Sequence, residues 1–219
     1  MKKKLKRRDF IYHIAAATIG SVALGSCSTG EKDKGNRETK DSDELTFENK
    51  ITENLEMPRD LVMKLLDQKV NKYMQISYNC AQSSFIALKE QFGLNGDDVL
   101  KALTPLTGIA ERGETCGAVI GSLMAFGLIY GRGENELHDW DKYRDSLIPS
   151  GKFCELFEKE FGSTMCHDIQ EEKFGRCFHL TNPKELEEFQ EAGATEKCSG
   201  VVRSAVRFAA EIILEREGR

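Results

Sequence analysis

The chain of 219 residues carries 31 basic and 36 acidic residues, a net charge of −5. That length suits one domain with a single buried core, and the acidic balance speaks against a nucleic-acid partner. Phosphate-binding glycine loops, nucleophile elbows, His-Glu-x-x-His pairs and calcium loops are missing from the sequence, which sets aside the commoner hydrolase and nucleotide chemistries.

Residues 1–27 read as an export segment. Lys2, Lys3, Lys4, Lys6, Arg7 and Arg8 precede an apolar run from Ile14 to Leu24 that is too short for a stable membrane span. Arg7-Arg8-Asp9-Phe10-Ile11 resembles a twin-arginine signal, and Leu24-Gly25-Ser26-Cys27 resembles the lipoprotein processing box. These resemblances imply cleavage before Cys27, lipid on its sulfur, and a membrane-anchored protein on the periplasmic or cell-surface side. Twin-arginine export carries folded passengers, often with a cofactor already inserted. Without the leader's six basic residues and Asp9, the rest of the chain stands at about −10. Residues 28–56 are polar and mixed in charge, which predicts a flexible tether reaching roughly 30 Å.

From residue 57 to 219 the pattern is helical. Pro58 suits a helix start, and Val62, Leu66, Val70 and Tyr73 form an apolar stripe with Leu61 and Leu65 beside it. A second helix is predicted from Cys80 to Phe92, with Ala81, Phe85, Leu88 and Phe92 on one face and Gly93 to stop it. A short third follows over 98–103. Residues 116–130 are apolar almost all round, which marks the central helix. A charged helix runs from near Glu136, with a kink expected at Pro149, through Phe153, Phe157 and Phe161 to Gly162. Trp140 and Tyr143 on it read most simply as core. An acidic run around Glu185, Glu187 and Glu188 reads as the solvated face of a short helix. The last helix spans about 196–215, with Cys198, Val202, Val206, Ala209 and Ile213 on one face. No segment alternates as a strand. The expected fold is all-α, a single bundle of about five to seven helices around the helix at 116–130.

Four of the seven cysteines, Cys80, Cys116, Cys166 and Cys198, stand at or within one turn of a predicted helix start. Free amides and the partial positive charge there favour thiolate, the form that attacks disulfides or binds metal. Gly117, Gly121 and Ala125 repeat at four-residue spacing along the central helix. Each glycine costs on the order of 1 kcal/mol against alanine, which makes sense where a second backbone or a cofactor comes close. Cys154 reads as a small core residue, and Cys177 as a loop thiol of open role. His167 reads as a capping or solvent-facing ring, and Arg112 and Glu114 as loop charges.

Asn79-Cys80, the block Cys116-Gly117-Ala118-Val119-Ile120-Gly121, the stretch Phe161-Gly162-Ser163-Thr164-Met165-Cys166, and Cys198 opening an apolar helix together resemble the C_GCAxxG_C_C family of redox-active proteins. The resemblance covers roughly residues 60–215. It implies an all-α redox protein whose Cys80, Cys116, Cys166 and Cys198 work either as a thiol/disulfide couple or as ligands of an iron–sulfur centre such as [2Fe-2S], with Gly117 and Gly121 beside the cofactor. No Cys-x-x-Cys-His occurs, so covalent haem is not expected. Cys154 and Cys177 lie outside the four-cysteine pattern.

Four soft sulfurs also suit structural zinc, but no Cys-x-x-Cys pair exists, so any shared site must be assembled by tertiary structure. The rival reading needs no chemistry: six cysteines after Cys27 pair as structural disulfides in a non-catalytic surface lipoprotein, a helical interaction module. A redox partner and a homo-oligomer with sulfurs shared between chains are the partner classes left open.

Overall fold

A computed structural model describes residues 46–218; the export segment, Cys27 and most of the expected tether lie outside the described residues. Among these, ten α-helices and two short 3-10 turns make up the fold, with no β-strand. The all-α expectation holds, and the helix number exceeds five to seven because short helices stand where loops were read.

The first of these corrects the tether. Residues 47–56 form α1 (Phe47–Glu56), capped by Thr46, whose side chain accepts from Asn49 N. Its polar composition hides two inward residues. Ile51 is buried, and so is Asn54, whose Nδ2 donates to Gln91 O at 2.9 Å. Gln91 Nε2 donates in return to Asn54 Oδ1 at 2.5 Å, so both buried amide side chains are bonded, which is why a polar helix docks.

Helix α2 (Arg59–Ser77) buries Val62, Leu66, Val70 and Met74 at strict four-residue spacing, so Met74 takes the place expected for Tyr73 and Leu61 faces solvent. Tyr78 ends it in the left-handed conformation, φ 51°. Helix α3 (Cys80–Phe92) has the predicted limits: Asn79 Oδ1 accepts from Gln82 N, Gly93 closes the far end at φ 64°, and Ala81, Phe85, Leu88 and Phe92 are fully buried. Helix α4 (Asp97–Ala102) and a 3-10 turn lead into α5 (Gly108–Glu111).

Helix α6 (Gly117–Tyr130) is central. It packs chiefly against α3, and also against α7 (Trp140–Phe161) and α10 (Ala194–Glu217). Helix α7 continues through Pro149 as one element, and Phe153, Phe157 and Phe161 fill the space between it and the core. Trp140 and Tyr143 are not core: Trp140 is 64% exposed and packs edge-on against Tyr143, with Arg132 over both rings. Helices α8 (Cys166–Phe174) and α9 (Pro183–Glu191) close one end of the bundle, where Phe174, Phe178 and Phe189 form their own aromatic cluster. The acidic face of α9 is solvated as expected and held by Arg176, which bonds Glu185 and Glu188. Among the described residues no helix is long and apolar enough to cross a membrane.

Candidate functional site

Three helix starts meet at this end of the bundle. Cys80 is the first residue of α3, Cys116 caps α6, and Cys166 is the first residue of α8. An isolated antiparallel bridge between Thr115 and Met165 sets the last two side by side. Cys116 N donates to Thr164 O at 2.8 Å, Cys166 N to Glu114 O at 2.7 Å, and His167 N to Gly113 O at 2.9 Å. This short ladder joins segments fifty residues apart in sequence, and no linear pattern announced it. The ring of His167 serves the same joint, its Nδ1 2.8 Å from Gly113 O and its Nε2 2.8 Å from Asp168 Oδ1.

Glycine brings the third thiol in. A methyl group on Gly117 would stand 2.5 Å from Cys80 Sγ and 2.7 Å from Ala81 N, and one on Gly121 would overlap Ser84 Oγ and Ala81 O. Of the two neighbours expected along Gly117 and Gly121, a second backbone or a cofactor, the backbone of α3 is the one in contact. Cys198 comes from α10. It is the fifth residue of that helix, past the free amides of the first turn, so the helix-start argument covers three cysteines and not the fourth.

All four cysteines line one void of about 30 Å³, with Ile169, Val201 and Val202 on its walls. On the solvent side of the cluster lies a larger cavity of about 470 Å³, lined by Cys80, Cys166 and Cys198 but not by Cys116, which is 6% exposed. Cys80 is thus approachable and Cys116 sits behind it. All six described cysteines are free thiols.

Burial works against the helix-start effect, and at three of the four thiols the pKa lies above the ordinary value. The direct interaction with Cys116 holds the Cys80 pKa below the ordinary thiol value against the opposing effect of burial, helped by Thr107 and by the Gly117 amide. The same interaction, with burial and the nearby Cys80 and Cys166 charges, pushes Cys116 well up. Burial above all, then the Cys80 charge, raises Cys166 to about 12 despite a 3.3 Å hydrogen bond from Gln170 Nε2, and burial raises Cys198 as well. Desolvation of the charged form outweighs the helix-end field in a low-dielectric interior.

Two residues of the site carried no sequence signal. Gln170, 2% exposed, bridges Cys166 Sγ and Phe178 N. Thr107 Oγ1 is buried without a hydrogen-bond partner beside Cys80, placed to donate once that sulfur ionises. Thr107 is carried there by α5, a left-handed turn in which Gly108, Ile109, Ala110 and Glu111 all have φ between 47° and 61°. The glycines at 108 and 113 were the visible hint of a tight loop. Cys177 lies near Gly113 and adds to the upward push on Cys166, whereas Cys154 packs against the core and has no part in the cluster. Arg112 and Glu114 pair with each other at 3.2 Å.

A family model described as Putative redox-active protein (C_GCAxxG_C_C) matches residues 78–212, more than half of the chain. The chain belongs to this family. The C_GCAxxG_C_C match begins at the capped start of α3 and ends within α10, so it takes in every element that contributes a sulfur to the cluster and leaves out α1 and all of α2. What the match shows is the family; its description names a redox role for the group as a whole. Comparison with curated proteins and with solved structures found no match.

As a metal centre, the site has the right donor type for an iron–sulfur cluster, four soft sulfurs around one void. Among the described residues no three His, Cys, Asp or Glu side chains are grouped as they would be around a single bound metal ion.

Proposed function

We propose that the protein is an exported, membrane-tethered thiol/disulfide redox protein whose working couple is Cys80 and Cys116. The observation that carries this is the placing of two thiols in unequal settings on one void, Cys116 at the start of α6 and Cys80 Sγ against the next residue, Gly117. Cys80 opens onto a cavity and is biased toward thiolate, while Cys116 is buried behind it and keeps its proton. Nucleophilic attack on a disulfide needs a thiolate that can be reached, followed by a second thiol within bonding range. In the reductive direction Cys80 attacks a substrate disulfide, forms a mixed disulfide and releases one half as a thiolate, which takes a proton from solvent. Cys116 then loses its proton to solvent and attacks the Cys80 sulfur, closing the Cys80–Cys116 disulfide and expelling the second half as a thiolate, which also takes a proton from solvent. Two electrons pass from the protein to the substrate, and the two protons of the product thiols are taken from solvent, one of them replacing the proton that Cys116 released. An external dithiol donor restores the reduced state. The segments around Arg7-Arg8 and Cys27 support export and a lipid tether.

Disulfide mapping of the full-length protein after equilibration with oxidised dithiothreitol tests the couple. The expected product is the Cys80–Cys116 bond, and the Cys116→Ser variant should stop at an adduct on Cys80. If other cysteines pair while Cys80 stays reduced, the proposal fails.

The common void favours a second reading, in which Cys80, Cys116, Cys166 and Cys198 hold a [2Fe-2S] cluster. Bound there, such a cluster supplies one-electron transfer. Gln170 would orient the Cys166 sulfur, and the apolar walls of Ile169, Val201 and Val202 would exclude water. Iron and acid-labile sulfide in stoichiometric amounts after anoxic purification, lost on Cys198→Ser, would select this reading over the couple.

A further inference from the structure

We propose that the cavity in front of Cys80 is a substrate site for low-molecular-weight organic disulfides that are neutral or cationic, and that it rejects anionic ones. The inference rests on the dithiol reading above and names its substrate class.

Size comes first. A cavity of about 470 Å³ accommodates a small molecule. Its walls are built by the end of α2, the segment 104–111, α8, α9 and the start of α10, and Cys80 lines it together with Cys166 and Cys198. A disulfide on the surface of a folded protein has to descend between these walls, whereas a small disulfide fits within them.

Charge decides the class. Among the described residues that line the cavity there is no Lys, Arg or His, and the one carboxylate is Glu111. The apolar share comes from side chains such as Met74, Leu180, Leu186 and Phe189. An anion entering these surroundings gives up its hydration and meets no cation, while a neutral or positively charged molecule meets apolar wall and Glu111. The position of Glu111 is not incidental. It ends the left-handed turn, and three successive non-glycine residues with positive φ, Ile109, Ala110 and Glu111, cost on the order of 1 kcal/mol or more each. That turn sets Glu111 and Thr107 on the same cavity, the carboxylate for the incoming molecule and the hydroxyl for the attacking sulfur. Backbone strain of this kind is retained where the geometry is used.

The step has the balance already given. One S–S bond of the substrate is replaced by the Cys80–Cys116 bond, two product thiols leave, and the two electrons come from the protein dithiol.

Three disulfides of matched length and different charge make the test: cystamine, bis(2-hydroxyethyl) disulfide and 3,3′-dithiodipropionate. Each is mixed with the reduced full-length protein, and the rate of Cys80–Cys116 bond formation is divided by the rate for the urea-unfolded chain. The cationic and neutral reagents should then react at least tenfold faster than the dianion. Glu111→Lys, at an exposed position, should narrow that ratio at least fivefold, and Gln190→Lys on α9 should act in the same direction. Unchanged ratios in both variants, with the Cys80–Cys116 bond still forming, would overturn the substrate assignment and leave the couple standing. Failure of that bond to form with any of the three would overturn the couple itself.

Discussion

Cys80 differs from its three neighbours by what touches it. The other thiols are raised chiefly by burial or by Cys80 itself, whereas Cys80 receives stabilisation from Cys116, from Thr107 and from backbone amides that together exceed the cost of burying its charge. A consequence can be measured by alkylating the reduced protein with iodoacetamide across pH and following each cysteine by mass spectrometry. Cys80 should react with a midpoint below that of an ordinary thiol, while Cys116, Cys166 and Cys198 remain slow through pH 9. In Cys116→Ala the Cys80 midpoint should rise, because the largest favourable contribution is gone, and in Thr107→Val it should rise by less. A Cys80 midpoint indifferent to Cys116 would mean that the two thiols act independently.

At the scale of elements, the contact between α3 and α6 does most to position the site. Two glycines one turn apart let the helices approach until backbone meets backbone, and the same approach sets Cys80 Sγ against Gly117. Gly121→Ala adds a methyl group where Ser84 Oγ and Ala81 O already stand and lies 3.0 Å from Phe85 N, so the helices must part. We expect a loss of about 2–3 kcal/mol in urea unfolding, in the range of overpacked cores. Gly127→Ala, on the same helix with nothing within 4 Å of the added methyl, should instead gain roughly 0.5–1 kcal/mol from helix propensity alone. Equal effects at the two positions would show that close approach does not decide the packing of α6. The joint between 113–116 and 164–167 acts at this scale too, since it carries α8, and with it Cys166, to the start of α6.

For the whole molecule, the buried thiols link stability to pH. Cys116, Cys166 and Cys198 hold their protons to higher pH when folded than when unfolded. Their contribution is complete below the unfolded value of about 8.5 and falls above it, because the unfolded chain then binds fewer protons, by up to ~1.4 kcal/mol per pH unit for each thiol. Cys80 has the opposite sign: its folded value is lowered, so its contribution is full above the unfolded value and fades as pH drops through the folded one. Under reducing conditions the urea midpoint should therefore be highest near pH 8 and decline from about pH 8.5 to 9.5, a window below tyrosine ionisation. Cys198→Ala should shallow that decline, and an identical slope in the variant would remove the thiols as its cause.

Much of this architecture was legible in one dimension because it rests on short-range rules. The limits of α3 follow from Asn79 and Gly93, and the buried faces of α2 and α10 follow from apolar residues recurring each turn. Such signals are local, so the all-α class and the central apolar helix could be read directly. Where a local signal was weak, the reading slipped: α1 looked like tether because Asn54 earns its burial from Gln91, 37 residues away, and Trp140 looked like core because its hydrophobicity says nothing about which neighbours reach it. The cysteine types and their capped positions were likewise visible, and they sufficed for membership of a redox-active family. Tertiary structure alone decided that four cysteines line one void, that α3 packs against the glycine face, and that the Cys80 pKa is lowered while those of the other three are raised. Proximity and desolvation are properties of the folded interior, set by groups far apart along the chain, and no spacing of residues encodes them.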